Sequence, residues 1–183
     1  QQAGYKTNSN VTTIPVVVHV VHNGQPVGVD ENITVEQIMS QFEILNRDFR
    51  RQNPDTINLP AAFAGLGGDA EVEFCLAKFD PTGYPTTGIY RYDYGRASWD
   101  RPEIESTLKP QTIWDRDKYL NIWIVRFGGD LANRYVQGYA QFPGMAANTD
   151  GLVISYRAFG TTGNISPSQV SGRTTVHEVG HWL

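Results

Sequence analysis

Basic clusters, long apolar runs and cysteine are what this sequence has least of, and each shortage narrows the field. Its 15 lysines and arginines are scattered and outnumbered by 19 aspartates and glutamates, for a formal net charge of −4. A nucleic-acid binder gathers positive charge on one face, so nucleic acid is not an expected partner. No apolar stretch approaches the roughly 18 residues that a membrane-spanning helix needs. The first residues, Gln1-Gln2-Ala3-Gly4-Tyr5-Lys6, lack the charged-then-apolar build of a secretion signal. Either the protein stays in the cytosol or processing has removed such a segment. Cys75 is the only cysteine. Within Val72-Glu73-Phe74-Cys75-Leu76-Ala77 it reads as a buried, inert strand cysteine or as half of a disulfide whose partner lies outside these residues. The helical-looking run from Thr174 to Leu183 lacks a stop: no glycine follows its last turn, no basic residues gather there and no proline lies beyond. The chain is therefore expected to be one part of a longer protein.

What is present suits one globular domain. Hydrophobic residues make up 40% of the sequence and charged ones 19%, enough to build a core and too apolar for a disordered chain. Ile14-Pro15-Val16-Val17-Val18-His19-Val20-Val21 predicts a strand buried on both faces, and Asn23-Gly24 turns the chain. Ile38, Phe42, Leu45 and Phe49 then recur at steps of three or four, which predicts an amphipathic helix over 34–51 capped by Thr34 or Asn32. Asn53-Pro54-Asp55 ends it. A second strand is expected over 71–79, closed by the turn chemistry of Asp80-Pro81-Thr82-Gly83. Residues 85–117 read as irregular, with one short helix near 102–108. Further strands are expected over 119–127, 137–142 and 151–156. After a polar loop the terminal helix begins, with Ser171 as its cap. The fold class is α+β: a mixed sheet with helices packed against it, without internal repeat.

His177-Glu178-Val179-Gly180-His181 is an H-E-x-x-H motif. Four residues advance a helix by about 400° and about 6 Å. Both imidazoles thus leave one face a turn apart and can reach one zinc ion at about 2.0–2.1 Å. Glu178 falls beside such a metal rather than on it, which suits a general base. It would take a proton from zinc-bound water attacking a peptide carbonyl and deliver it to the leaving amine. The bland alternative makes both histidines solvated helix residues. His19 and His22, three apart on or just past a strand, face opposite ways and read as core or strand-end histidines.

Other features carry less. Asn10-Val11-Thr12, Asn32-Ile33-Thr34 and Asn164-Ile165-Ser166 are glycosylation sequons, which matter only in a glycosylating source. Trp99, Trp114, Trp123 and Tyr139 could line a cleft, although core packing is the default. Asp80, Asp130 and Asp150 sit beside Gly or Pro, where turn chemistry outweighs calcium binding.

Several stretches carry a wider likeness, in matching order over nearly the whole chain. They are the 14–21 strand, Leu45-Asn46-Arg47-Asp48-Phe49, Glu73-Phe74-Cys75-Leu76-Ala77, Asp80-Pro81-Thr82-Gly83 and Tyr119-Leu120-Asn121-Ile122-Trp123. Gly138-Tyr139-Ala140-Gln141-Phe142-Pro143-Gly144, Asp150-Gly151-Leu152-Val153-Ile154 and the run from Gly172 to Leu183 complete it. With these the chain resembles the pappalysin family of zinc peptidases in the metzincin clan, especially its secreted microbial members. The resemblance implies a metzincin, zincin-like upper subdomain: a twisted five-stranded mixed sheet, a backing helix and an active-site helix. Residues 1–183 would form the N-terminal subdomain of a catalytic domain, with the C-terminal subdomain absent from the chain. His177 and His181 would be two of three zinc ligands and Glu178 the catalytic base. The motif continues as H-E-x-x-H-x-x-G-x-x-H, which puts the third histidine beyond Leu183. The fourth strand would be an antiparallel edge binding a polypeptide substrate by strand addition, through Gly138, Tyr139, Ala140 and Gln141. Structural Ca2+ bound mainly by the C-terminal part, disulfides and an extracellular location are implied in the same way. So is a need for the C-terminal remainder as partner, without which the piece would bind zinc weakly and cleave nothing.

Two alternatives remain at this level. One is a catalytically incompetent zincin-like binding or adhesion module. The other is a zinc hydrolase of another clan, with a glutamate ligand from a later helix.

Overall fold

The computed structural model describes residues 11–183; the N-terminal hexapeptide and the asparagine of the first sequon lie outside the described residues. In chain order the main elements are β1 (Thr12–His22), α1 (Val35–Phe49), β2 (Val72–Leu76), β3 (Ile89–Asp93), α2 (Arg101–Glu103), α3 (Lys109–Thr112), β4 (Leu120–Val125), α4 (Gly129–Asn133), β5 (Gly138–Ala140), β6 (Leu152–Ser155) and α5 (Arg173–Trp182).

The valine-rich segment forms the strand on which the sheet is organised. Val16, Val18 and Val20 enter the core shared with α1 and α5, while Val17 and Val21 enter clusters on the opposite face. Both faces are buried, as the unbroken β-branched run predicts. One edge of β1 pairs in parallel with β2 through Thr12–Val16 and, further along, with β3 through Val18–His22. Its other edge pairs in parallel with β4. Beyond β4 come parallel β6 and, antiparallel to it, β5. The order across the sheet is β2-β1-β4-β6-β5, with β3 sharing the lane of β2. The expected five strands hold as five lanes, and the strand number is corrected to six. The sheet is mixed and carries helices on its faces, so the α+β class holds. β3 was missed because Ile89-Tyr90-Arg91-Tyr92-Asp93 has no clean alternation; its pairing with β1 decides its conformation.

Thr34 caps α1, its hydroxyl accepting from the Gln37 amide at 3.1 Å. The buried stripe of α1 contains Ile38, Phe42 and Leu45, and between them the glutamines Gln37 and Gln41. The short helix expected near 102–108 extends from Arg101 to Thr112, as α2, a π turn over Ile104–Leu108 and α3. Pro110 sits just past the π turn, and its missing N–H removes one rung of an α-helical ladder. Ile104 and Leu108 pack this segment against Trp123, Val125 and Val153 on the second face of the sheet.

Candidate metal-binding and active site

The site is built where α5 crosses the first face of the sheet beside the edge strand. Gly172, with φ +66°, turns the chain into α5 and is its N-cap residue. Ser171, expected as the cap, stands one position earlier; its hydroxyl only accepts a long 3.4 Å contact from the Arg173 amide. What fixes the approach is α1. Gln41 donates to the Gly172 carbonyl at 2.9 Å and accepts from the Gly160 amide at 2.8 Å and the Thr175 hydroxyl at 3.0 Å. One turn away, Gln37 donates to the carbonyls of Tyr156 and Phe159 and accepts from the Asn164 amide. Both glutamines are fully buried and hold the segment that delivers α5. Sequence reasoning missed them, although two polar residues on an otherwise apolar stripe are a readable sign of a buried network.

From this start the helical period sends Thr175, Glu178 and Val179 inward, and it leaves His177 and His181 exposed. The two histidines converge: Nε2 of His177 and Nε2 of His181 are 3.0 Å apart, with rings at 89°. Phe142 packs edge-on against His181, ring centres 5.3 Å apart. Two imidazoles bonded tetrahedrally to one zinc at about 2.0–2.1 Å would stand about 3.3 Å apart. The donor chemistry and the convergence of these two nitrogens therefore fit such an ion. Among the described residues no third His, Cys, Asp or Glu joins them.

Glu178 lies between α5 and β5 and is 8% exposed. Burial raises its carboxyl above the usual carboxylate range, against the opposing pull of His177 and His181. Gly138 makes this proximity possible. A Cβ there would stand 2.8 Å from Ile154 Cδ1, 3.1 Å from Glu178 Cγ and 3.2 Å from Thr174 Cγ2. β5 itself is the sheet edge. Gln137 accepts from Ser155, and the Gln141 amide donates to Gly151, so backbone groups at 137, 139 and 141 point to β6. The two-residue alternation then turns the amides and carbonyls of Gly138 and Ala140 outward. Of the four edge residues expected to meet substrate, these two offer free backbone. Tyr139 projects to the opposite face of the sheet, and Gln141 lies just past β5 with its side chain tied to Ala146 and Thr149.

Comparison with protein-family models finds no match, and neither does comparison with curated proteins. Solved structures do match. Mature mirolysin of Tannerella forsythia, in complex with a cleaved peptide, is 42% identical with a TM-score of 0.81. The match covers 94% of this chain and 63% of that one. The chain has the mirolysin fold. Mirolysin in complex with compound 9 matches at 41% identity and a TM-score of 0.80, over 94% of this chain and 63% of that one. A promirolysin mutant of T. forsythia, with a glutamate replaced by alanine, matches equally well over 94% of this chain and 55% of that one. The chain thus spans less than two thirds of the length of mature mirolysin.

Around this mirolysin-like frame the remaining candidates fall into structural roles. His19 is buried, donating from Nε2 to Asn121 Oδ1 at 3.0 Å and stacked on Trp123; His22 ends β1 and accepts from the Gly24 amide. They are a core and a strand-end histidine, as expected, and among the described residues neither joins the His177–His181 pair in a metal-binding group. Trp99, Trp114 and Trp123 are core residues. Cys75 has no disulfide partner among the described residues and is half-buried, not fully buried as expected, because the lane of β2 is the outer one. Asp80 closes its turn by accepting from the Thr82 and Tyr84 amides, Asp130 pairs with Arg134, and Asp150 accepts from the Trp182 indole. The amide nitrogens of Asn32 and Asn164 donate to backbone carbonyls, and Asn32 is 3% exposed. These two sequons are structural polar links. No helix among the described residues is long and apolar enough to cross a membrane.

Proposed function

We propose that this chain is the N-terminal part of the catalytic domain of a secreted zinc-dependent endopeptidase of pappalysin type. The observation that carries the reading is the convergence of His177 and His181 at 3.0 Å on the exposed side of α5, with buried Glu178 between them and the open edge of β5. The similarity to mirolysin, matched in one structure with a cleaved peptide, supports a polypeptide substrate.

His177 and His181 would hold the zinc, with the third histidine contributed from outside these residues. Zinc, when bound, polarises a carbonyl and acidifies water. Glu178 accepts the proton of the attacking water, as a carboxylate set beside the metal rather than on it. The same carboxyl then donates to the leaving amine, so the proton passes through one side chain. The outward amides and carbonyls of Gly138 and Ala140 hold the peptide as an added antiparallel strand. That pairing sets the scissile bond alongside Glu178, because Gly138 keeps β5 in contact with α5. Extracellular location follows from the family resemblance, and structural calcium belongs mainly to the C-terminal remainder.

The test is Glu178→Ala in the complete protein, assayed on an unstructured polypeptide. Loss of cleavage with zinc content retained supports the assignment, and undiminished cleavage rules it out.

A further inference from the structure

One group of charged side chains has no part in that chemistry. On the face of β5 away from Glu178, Tyr139 borders an open cavity of about 320 Å³ between the edge strand, α2–α3 and the 142–149 loop. Gln141 fixes that loop by donating to the Ala146 carbonyl at 2.6 Å and accepting from the Thr149 hydroxyl at 2.7 Å. Inside the cavity Glu105 is already committed. One of its oxygens accepts from the Tyr139 hydroxyl and from the Lys109 ammonium, both at 2.8 Å. Lys109 is 1% exposed and also donates to the Thr149 carbonyl.

Arg101 differs. Its guanidinium lies 4.5 Å from the centre of the Tyr139 ring, and among the described residues it makes no ion pair or hydrogen bond. Glu105 is shared by Lys109 and Tyr139, and Asp150 also acts on Lys109, which leaves Arg101 at the cavity mouth as a cation without an ion-pair partner among the described residues. A guanidinium stacked on an aromatic ring keeps its in-plane N–H groups free, in the geometry that grips a carboxylate.

Strand pairing determines what can reach it. Residues directly opposite in an antiparallel pair project to the same face. A peptide residue opposite Tyr139 therefore sends its side chain over this cavity, not toward Glu178. We propose that the cavity is a subsite for an acidic side chain of the peptide paired with β5, its carboxylate held by Arg101. The assignment rests on the peptidase reading above. Tyr139 and Met145 supply apolar wall for the side-chain stem, whereas a basic side chain meets like charge from Arg101 and Lys109.

Cleavage of a peptide series by the complete, zinc-loaded protein tests this. A glutamate is moved through the positions flanking the scissile bond and compared at each with glutamine and lysine. The expected result is a preference for glutamate over glutamine of about five-fold in kcat/KM at one position, shrinking as salt rises. Arg101→Gln brings that ratio to about one, and Arg101→Glu turns the preference toward lysine. Each ratio is internal to one protein, so partial misfolding of a variant does not change it. Binding of the same peptides to the Glu178→Gln protein, followed by fluorescence anisotropy, should give the same order. A wild-type ratio of one at every position, or a preference that survives both Arg101 substitutions, overturns the subsite and leaves the peptidase reading standing. Failure to cleave any peptide overturns the peptidase reading, and the subsite with it.

Discussion

Acid should destabilise this fold through one histidine, and the size of the effect follows from where that histidine sits. His19 is fully buried in the middle of β1, with its ring stacked on Trp123 at 5.1 Å. Burial pushes its imidazole down to about 4, against the opposing effect of its hydrogen bond to Asn121. In the unfolded chain the same group titrates at its ordinary value of 6.5. A depressed folded value means that the unfolded state takes up the proton first as pH falls. Stability is therefore fully present above pH 6.5, is lost progressively below it, and levels off as pH passes through about 4. Linkage puts the loss between about pH 7.5 and about pH 4.5 at about 2.5 kcal/mol. Urea unfolding followed by tryptophan fluorescence across that range measures it directly. His19→Gln keeps an amide donor for Asn121 and cannot take up the proton, so its stability curve should be flatter by that amount. Carboxylates held low by hydrogen bonds, such as those of Asp69 and Asp80, act further down the scale and equally in both proteins. Parallel losses in the two proteins between about pH 6.5 and about pH 4.5 would falsify the argument.

Four further outcomes are expected. Glu178→Gln should lower kcat/KM of the complete protein by about 10²–10⁴-fold, and a loss below about ten-fold would remove it as the base. His177→Ala and His181→Ala should each abolish zinc retention measured by metal analysis after dialysis; retention in either would show that the ion sits elsewhere. Gln41→Leu strands the Gly160 amide and the Gly172 carbonyl in the interior at about 1–3 kcal/mol each. A fall of about 3 kcal/mol in unfolding free energy is expected, and one below about 1 kcal/mol would show that water replaces the amide. Gly151 has φ +128°, and a Cβ there would lie 2.3 Å from the Asn121 carbonyl oxygen. Gly151→Ala should destabilise by at least about 2 kcal/mol, and an unchanged midpoint of denaturation would contradict that contact.

The sequence spoke most clearly where one physical signal dominated. The valine run of β1, the apolar stripe of α1 and the four-residue histidine spacing each predict an element or a pair, and His177 and His181 do converge. It spoke less clearly where structure depends on partners distant in the chain. β3 has no pattern of its own and is a strand because β1 is beside it. The capping of α5 fell to Gly172 instead of Ser171, because the turn is fixed by Gln41 reaching across from α1. The outward direction of Gly138 and Ala140 could not be read either, since it depends on which residues of β5 face β6. The cavity beside Tyr139 brings together α2, α3 and a loop around forty positions later (Lys109 to Thr149 spans 40 residues), a proximity with no local sequence signature.

The hub position of β1 sets an order of events during synthesis. Of the described strands it is translated first, yet its nearest partner begins at Val72 and the partner on its other edge at Leu120. Parallel pairings this far apart in the chain close slowly, because loop entropy is lost before any contact repays it. Until then an 11-residue, valine-rich segment has both edges open, which is the template that strand-by-strand aggregation uses. Recovery of soluble protein should therefore depend on how that segment is shielded before β4 emerges, and chaperone supply or slower translation should influence yield more than native stability does.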